Sequence, residues 1–259
     1  MKLRILGSGT SSGVPRIGGA DGAGDWGDCD PVEPRNRRTR ASVIVECAST
    51  RILVDTSPDL REQLLAAGVS DIDAVIWTHD HADHCHGIDD LRQLYQARRR
   101  PVRGFARAET MASLIARFSY AFNGRAPYPP IATIELLADQ LAIGDIVVDV
   151  VDQPHGDIST AGLCFTSGGK RIGYATDFHA LTPAMAALYS GVDLWVVDAL
   201  RRRPHPSHPT LAQTLDWAAQ LAVKRAVLIH MDQSMDYTTL VRELPHSVAP
   251  GYDGMEITL

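Results

Sequence analysis

Cysteine is scarce in this chain, and none of the cysteines is paired at the spacing of a zinc site. The four lie far apart among 259 residues, at Cys29, Cys47, Cys85 and Cys164. Neither a disulfide framework nor a zinc site built from cysteine alone is therefore expected. Such usage fits a reducing compartment, and we expect the protein in the cytoplasm.

Long apolar runs and excess positive charge are also lacking. No segment approaches the roughly 18 consecutive apolar residues of a membrane-spanning helix, and the start MKLRILGSGTSSG lacks the apolar centre of a signal peptide. The formal net charge is −6. Because nucleic-acid binding requires a broad basic face, we expect neither stable nucleic-acid binding nor membrane attachment.

The chain has instead a regular alternation of short apolar segments and helices. Segments such as SVIVECA, AVIWT and AVLI are rich in β-branched residues, which is typical of buried strands. Helix signals lie between them, with Ser57 and Thr182 as predicted N-caps and Gly68 as a terminator. The pair Gly168-Gly169 predicts a hairpin turn. We expect a single α/β domain over residues 1–259.

The densest polar stretch, THDHADHCHG, directly follows the apolar segment AVIW. It contains His79, His81, Asp83 and His84 in the pattern HxHxDH. Neutral imidazoles and carboxylates are good ligands for zinc and also suit manganese. The spacing offers two histidines to one ion, and Asp83 with His84 to a second ion about 3.5–4 Å away. A polar loop without metal is the alternative, but so dense a string rarely arises by chance.

Single polar residues at the ends of later predicted strands complete this set. His155 follows IVVDVV, Asp177 lies in YATDF and His230 in VLIHMD. Each alone would more often be an ordinary hydrogen-bonded residue, but strand ends in layered α/β folds converge on one site. The expected ligands are His79, His81, His155 and Asp177 for the first ion, and Asp83, His84, Asp177 and His230 for the second.

This ordered ligand set resembles that of the metallo-β-lactamase-fold hydrolases over nearly the whole chain. The resemblance implies a four-layer αββα sandwich with two divalent metal ions, zinc or manganese, at one edge. The segments LGSGTSSGVPR, ILVDTSPDLR, HGIDDLR and YDGMEI resemble the phosphodiesterase branch. That branch includes the phosphoribosyl cyclic phosphate phosphodiesterase of phosphonate breakdown, and tRNase Z is a neighbour.

The branch implies hydrolysis of a small cyclic or nucleotide-like phosphodiester by a hydroxide that bridges the two ions. His208, in SHPTLAQTL, best matches the branch's general acid, and His205 is a rival three residues earlier. His208 also stands where it could cap the following helix. Asp83 is expected to act as a proton acceptor as well as a ligand. Asp198 either orients His208 or simply ends its strand.

Several residues have less specific signals. Asp55 either holds a ligand histidine or caps a helix, and the pattern does not separate the two. Trp26, Tyr120 and Tyr128, in or beside long loops, are candidates to stack on a nucleobase or sugar. The remaining candidates for substrate binding are His205, Arg40 with its neighbours Arg37 and Asn36, and Ser11 with Ser8.

The sequence lacks two features found in this branch and its neighbour. The phosphonate-pathway enzyme has a cysteine cluster for a structural zinc after its first strand, whereas this loop has only Cys29. No structural zinc is therefore expected, and the absence of a tRNA-gripping arm argues against tRNA processing.

Two other functions remain as alternatives. One is thioester or lactone hydrolysis, because such hydrolases share the same ligand set. A non-catalytic or biosynthetic accessory protein is the third hypothesis, and a homodimer is left open.

Overall fold

Two seven-stranded β-sheets form the centre of the fold in the computed structural model, which describes residues 1–259. The helices are α1 (Leu60–Ala67), α2 (Ala82–Cys85), α3 (Leu91–Arg98), α4 (Ala108–Arg117), α5 (Ser119–Asn123), α6 (Pro183–Tyr189), α7 (Leu211–Gln220) and α8 (Tyr237–Glu243). The strands are β1 (Lys2–Gly7), β2 (Ser42–Cys47), β3 (Thr50–Val54), β4 (Ala74–Trp77), β5 (Arg103–Ala106), β6 (Glu135–Leu136), β7 (Gln140–Ile143), β8 (Ile146–His155), β9 (Ile158–Ser167), β10 (Lys170–Ala175), β11 (Leu194–Asp198), β12 (Ala226–Ile229), β13 (Val248–Pro250) and β14 (Glu256–Thr258).

The two sheets share one pattern of strand directions. The first has the order β14-β1-β2-β3-β4-β5-β6, and the second has β13-β12-β11-β10-β9-β8-β7. In each sheet, three neighbouring pairings at one side are antiparallel and the three at the other side are parallel. Because parallel strands end at the same edge of a sheet, the residues that follow them are brought together there.

The sheets pack face to face over a cluster of 24 buried apolar residues. Strand β2 illustrates how both faces of a sheet are covered, because Val43 and Val45 point into this cluster while Ile44 points to the outer face. Alternate side chains of a strand face opposite sides of its sheet. A strand covered on both faces therefore reads as a continuous apolar run rather than an alternating one.

Helices cover the outer face of each sheet. Leu64 of α1 and Leu114 of α4 belong to an apolar cluster outside the first sheet, and Met185 of α6 and Leu211 of α7 to one outside the second. The layers therefore follow the order αββα, as predicted. None of the helices combines the length and the apolar character needed to span a bilayer.

Most of the local start and stop signals are confirmed. Thr182 accepts a hydrogen bond from the Met185 N–H at 3.2 Å and caps α6. Gly68 ends α1 in the left-handed region, at φ 64°. Gly168 and Gly169 have φ of 56° and 73° in the turn between β9 and β10. These positions require glycine because a side chain is strained at positive φ.

The predicted N-cap of α1 is wrong by two residues. Asp59, not Ser57, precedes the first helical residue, and Pro58 lies before the helix. The Ser57 hydroxyl instead accepts a hydrogen bond from the Asp59 N–H at 3.1 Å and donates one to Gln63 Oε1 at 2.9 Å. Ser57 thus shapes the turn that leads into the helix, because a serine oxygen readily replaces a backbone partner in such turns.

Candidate metal centre

The candidate centre lies where strands of both sheets end. Asp55 follows β3, Asp177 lies two residues beyond β10 and His230 follows β12. These three residues have positive φ, at 63°, 55° and 58°. A left-handed backbone is unfavourable for residues other than glycine and is concentrated at functional sites. The backbone is therefore held at these positions in conformations that aim the side chains into the site.

The predicted ligands fall into two groups around one carboxylate. Potential ligand atoms of His79, His81 and His155 lie within 4.8 Å of one another. The same is true of Asp83, His84 and His230, which form the second group. Ligand atoms of His79, His84 and Asp177 are equally close to one another, so all seven predicted ligand residues are brought together around one centre.

The carboxylate of Asp177 lies within 4.0 Å of histidines from both groups. Its Oδ2 lies 3.2 Å from His84 Nε2, and its Oδ1 lies 3.5 Å from His230 Nε2. The same Oδ1 is 3.7 Å from His155 Nε2 and 4.0 Å from His79 Nε2. This central position is the one expected of a carboxylate that bridges two ions.

The outer nitrogens of His84 and His155 are held by the protein. His84 Nδ1 lies 2.7 Å from Asp55 Oδ2, and His155 Nδ1 lies 2.9 Å from the Ser207 carbonyl oxygen. A bond to an oxygen places the proton on Nδ1 and leaves Nε2 as a ligand. The Asp55 contact supports its predicted role in holding a ligand histidine. It does not cap α1, since Asp59 occupies that position.

The inner nitrogens have no hydrogen-bond partner in the protein. Nε2 of His79, His84 and His230 are all buried and lie 3.2–4.0 Å from oxygens of Asp177 without forming a hydrogen bond to them. An unpaired buried polar atom costs free energy, so a set of them facing one centre calls for a partner. Because imidazole nitrogens and carboxylates are ligands of zinc and manganese, the residues fit a site for divalent metal.

The electrostatics point the same way. Burial disfavours charge on Asp177, but the neighbouring His230 and His84 outweigh it and hold the pKa of this carboxyl well below its usual range. Burial, reinforced by His84, holds the pKa of His79 well below its usual range. Against the effect of burial, the carboxylates in turn hold the pKa of His84 well above its usual range and raise that of His230 to about 9. Asp177 and His79 thus have the protonation states that metal binding requires, whereas an ion must displace protons from His84 and His230.

His208 stands beside the ligand groups and is held by a carboxylate. Its Nδ1 lies 2.7 Å from Asp198 Oδ2, and its Nε2 lies 3.9 Å from Asp177 Oδ1. It does not cap the following helix, because Thr210 does so in a reciprocal pair of bonds with Gln213. Asp198 therefore orients His208 rather than merely ending β11.

His205 lies farther from the centre. Its ring is 5.0 Å from that of His208, and its Nδ1 accepts a weak bond from the Ser207 N–H at 3.3 Å. Burial, reinforced by His208, lowers the pKa of His205. The structure thus places His208 between His205 and the ligand groups, which fits His208 as the proton donor.

The loops that contain Asn36, Arg40 and Ser11 give less support to the predicted substrate binding. The Arg40 guanidinium is not unpaired, because its Nε lies 2.9 Å from Asp59 Oδ2. Asn36 is completely buried and its amide bonds to Asp236 and the Tyr237 N–H, so its predicted role in phosphate binding is wrong. Ser11 is exposed on its loop.

Ser8 is likewise wrong as a substrate contact, and its real partner went unrecognised. It is fully buried, and its N–H and hydroxyl both donate to Asp253 Oδ1 at 2.8 Å. Thr39 donates through its N–H at 2.7 Å and its hydroxyl at 2.6 Å to Asp253 Oδ2. This single carboxylate thus joins two loops to the end of the chain.

Residues that hold the ligands were also missed. Thr78 donates through its N–H and hydroxyl to Asp55, at 2.7 and 2.8 Å, and its hydroxyl lies 3.0 Å from His79 Nδ1. The Thr176 hydroxyl donates to Asp177 Oδ2. Both threonines directly precede a ligand, which is the only local signal that could have identified them.

Comparison with protein families agrees with this geometry. The model of the beta-lactamase superfamily domain matches residues 50–231, a range that is more than half of the chain and contains every predicted ligand. The chain belongs to the beta-lactamase superfamily. Members of this fold family bind metal ions and are mostly metal-dependent hydrolases.

Solved structures of the superfamily show the same fold. A new diphosphatase from the PhnP family is 33% identical, with a TM-score of 0.89 over 99% of this chain and 96% of that one. Zinc-bound PqqB from Methylobacterium extorquens is 19% identical, with a TM-score of 0.79 over the whole of both chains. Human tRNase Z, short form, is 17% identical, with a TM-score of 0.71 over 100% and 99% of the two chains.

Curated relatives have different activities. An octanoyltransferase from Porphyromonas gingivalis is 32% identical over 99% of this chain, but the chain spans only 51% of that protein's length. Coenzyme PQQ synthesis protein B from Xanthomonas campestris pv. campestris is 26% identical over the full length of both proteins. The comparisons establish the superfamily, whereas the reaction has to be inferred from the residues of the site.

Proposed function

We propose that this chain is a dinuclear metal-dependent phosphodiesterase that hydrolyses a small cyclic or nucleotide-like phosphodiester. The observation that carries the proposal is the pair His208 and Asp198. A histidine that is not needed as a ligand lies 3.9 Å from Asp177 and is fixed by a carboxylate at 2.7 Å. Such a group is suited to donate a proton to the leaving oxygen of an ester.

The proposed reaction breaks one P–O ester bond and adds one water, giving a phosphomonoester and an alcohol. Two divalent ions, zinc or manganese, supply Lewis acidity and lower the pKa of a water molecule when bound by the seven ligand residues. Asp83, with Oδ2 3.5 Å from His230 Nε2, accepts a proton from the attacking water. His208 gives a proton through Nε2 to the departing oxygen, and Asp198 stabilises the imidazolium before the transfer.

The similarity to the PhnP-family diphosphatase favours phosphate chemistry over thioester or lactone hydrolysis. The two chains match over almost their full lengths at 33% identity. The octanoyltransferase match carries less weight, because about half of that protein lies outside the aligned region. Its name therefore cannot be transferred to the part that this chain resembles.

The direct test combines elemental analysis with an assay on bis(p-nitrophenyl) phosphate, a simple phosphodiester. We expect about two metal ions per chain and steady hydrolysis, both lost in Asp177→Ala. S-lactoylglutathione and a γ-lactone serve as the competing substrates. Faster turnover of either one, with no diester hydrolysis, would replace the proposal by the thioester or lactone alternative.

A biosynthetic accessory role is the second candidate, and the full-length match to the PQQ synthesis proteins favours it. That role predicts bound metal without turnover of any ester. His208→Ala would then leave the metal content unchanged, and neither the variant nor the wild type would hydrolyse the diester. Diester hydrolysis that depends on His208 separates the two candidates.

A further inference from the structure

A second polar and aromatic cavity lies outside the metal centre, on the side of the first sheet. It has a volume of about 390 Å³ and is lined by Arg92, Tyr120, Arg125, Tyr128 and Pro129. None of these residues is used by the proposed hydrolysis. The cavity therefore needs its own explanation.

The aromatic residues of this cavity are unusually exposed. Tyr120 is 42% exposed and Tyr128 is 68% exposed, and they are the only aromatic residues among the exposed large hydrophobic side chains. Exposed aromatic surface is unfavourable unless something covers it, and two such rings in one small cavity are typical of a binding surface. Their ring faces can stack on a flat ligand.

The cavity also carries positive charge. Arg92 forms an ion pair with Asp89 at 2.7 Å and keeps about a third of its side chain exposed, whereas Arg125 is exposed and forms no ion pair. Guanidinium groups bind phosphate through paired hydrogen bonds and also stack on rings. Two tyrosines with two arginines therefore match a ligand that combines a planar ring with a phosphate.

The loop that presents Arg125 and Tyr128 is rigidly built. Their backbones form two hydrogen bonds with each other, at 2.8 and 2.6 Å. Gly124 precedes them at φ 70°, and a Cβ there would lie 2.8 Å from the Tyr128 carbonyl oxygen. Only glycine fits this turn without strain, so the backbone positions of Arg125 and Tyr128 are fixed relative to each other at the edge of the cavity.

The helical segment that carries Tyr120 contacts the loop that carries the predicted ligands. His86, two residues after His84, lies 2.8 Å from Arg117 Nη2, and its ring is 5.9 Å from that of Phe118, two residues before Tyr120. His208 comes from the other sheet, between β11 and α7. A diester whose leaving group faces His208 would thus extend its retained group toward this cavity.

We propose that the cavity of Arg92, Tyr120, Arg125 and Tyr128 binds the retained nucleotide portion of the substrate, its base on the tyrosines and a second phosphate, distinct from the scissile one, on the arginines. This inference rests on the proposed phosphodiesterase function. It selects nucleotide-containing diesters as the substrate class, in preference to diesters with only small alkyl groups.

The test compares three esters with the same leaving group: methyl p-nitrophenyl phosphate, thymidine 5′-(p-nitrophenyl phosphate) and that thymidine ester with a second phosphate on its 3′-oxygen. In the wild type, the thymidine group should raise kcat/KM over the methyl ester, and the 3′-phosphate should raise it further. The gain from the 3′-phosphate should fall about tenfold in Arg125→Gln, and the preference for thymidine should fall about tenfold in Tyr128→Ala, which is typical of losing one stacking contact. Tyr128→Phe, which keeps the ring, should retain it, and Arg100→Gln is the matched control because Arg100 is exposed and lies outside the cavity.

Each outcome bears on the inference. The inference is overturned if the preference for thymidine is unchanged in Tyr128→Ala and the gain from the 3′-phosphate is unchanged in Arg125→Gln. A change of oligomeric state in these variants, at unchanged preference, assigns the surface to contact between copies. If none of the esters is hydrolysed, the phosphodiesterase proposal fails by itself. AMP binding by calorimetry then decides the cavity, because affinity weakened about tenfold in Tyr128→Ala supports it and equal or absent binding overturns it.

Discussion

The carboxylate of Asp198 lies 2.7 Å from Nδ1 of His208 and 3.9 Å from Nδ1 of His230. One buried acid thus stands behind both the proposed proton donor and a predicted metal ligand. Its Oδ1 has no hydrogen-bond partner. The contact at 2.7 Å is the shorter one, so orientation of His208 is the main role we assign to Asp198.

Replacing His208 should lower the rate without removing metal. We expect His208→Ala to reduce kcat by about 10²–10⁴, the usual contribution of a general acid, at unchanged metal content. The loss should be larger for a phenyl ester than for a p-nitrophenyl ester, because the poorer leaving group depends more on protonation. Initial rates on the two diesters and elemental analysis are the measurements.

Two histidine variants serve as controls for that experiment. His205→Ala should cost less than His208→Ala, and His246→Ala, at an exposed position away from the cluster, should cost nothing. Equal losses for the two esters in His208→Ala would contradict its role as an acid. A larger loss in His205→Ala would transfer that role to His205.

Asp55 should act on metal affinity through His84. Asp55→Asn replaces the carboxylate that lies 2.7 Å from His84 Nδ1, and we expect metal affinity to fall about 10- to 100-fold. Competition with a fluorescent chelator measures this affinity. The matched control is Ser42→Ala, which removes a hydroxyl bond to the backbone carbonyl of Asp55 but leaves the contact of the Asp55 carboxylate with His84. If both variants lose affinity equally, Asp55 acts through the loop rather than through the imidazole.

The metal ligands could be predicted because their signal is local. His79, His81, Asp83 and His84 lie within six positions, and the strand ends supplied the others in chain order. The αββα layers followed from the apolar segments together with the family resemblance. Those segments are continuously apolar rather than alternating, which indicates that both faces of each strand are covered.

The residues that could not be predicted depend on contacts distant in sequence. Asp253 binds Ser8 and Thr39 across 245 and 214 residues, and no local pattern records such contacts. The Ser207 group that holds His155 is a backbone carbonyl, which carries no side-chain signal. Strand β6 has only two residues, too few for a hydrophobic period to appear.

Removing metal should lower thermal stability. The site places buried carboxylates among imidazoles whose inner nitrogens have no partner, and binding of an ion to the folded state alone stabilises it. We expect EDTA to reduce Tm by about 5–10 °C, which corresponds to a few kcal/mol in a chain of this size. Calorimetry with and without EDTA measures it, and added zinc or manganese should restore Tm. Asp177→Ala, already deficient in metal, should respond little to EDTA.

Asp253 should contribute to stability rather than to chemistry. Its two oxygens accept four hydrogen bonds from N–H and O–H donors of Ser8 and Thr39. In Asp253→Asn the amide NH₂ must face donors in either orientation, so at least one buried N–H loses its acceptor. We expect the free energy of unfolding to fall by about 1–3 kcal/mol, measured by urea denaturation of the metal-loaded protein. Metal content and kcat of the folded variant should stay close to wild type, and a loss of metal at unchanged stability would instead connect this carboxylate to the metal centre.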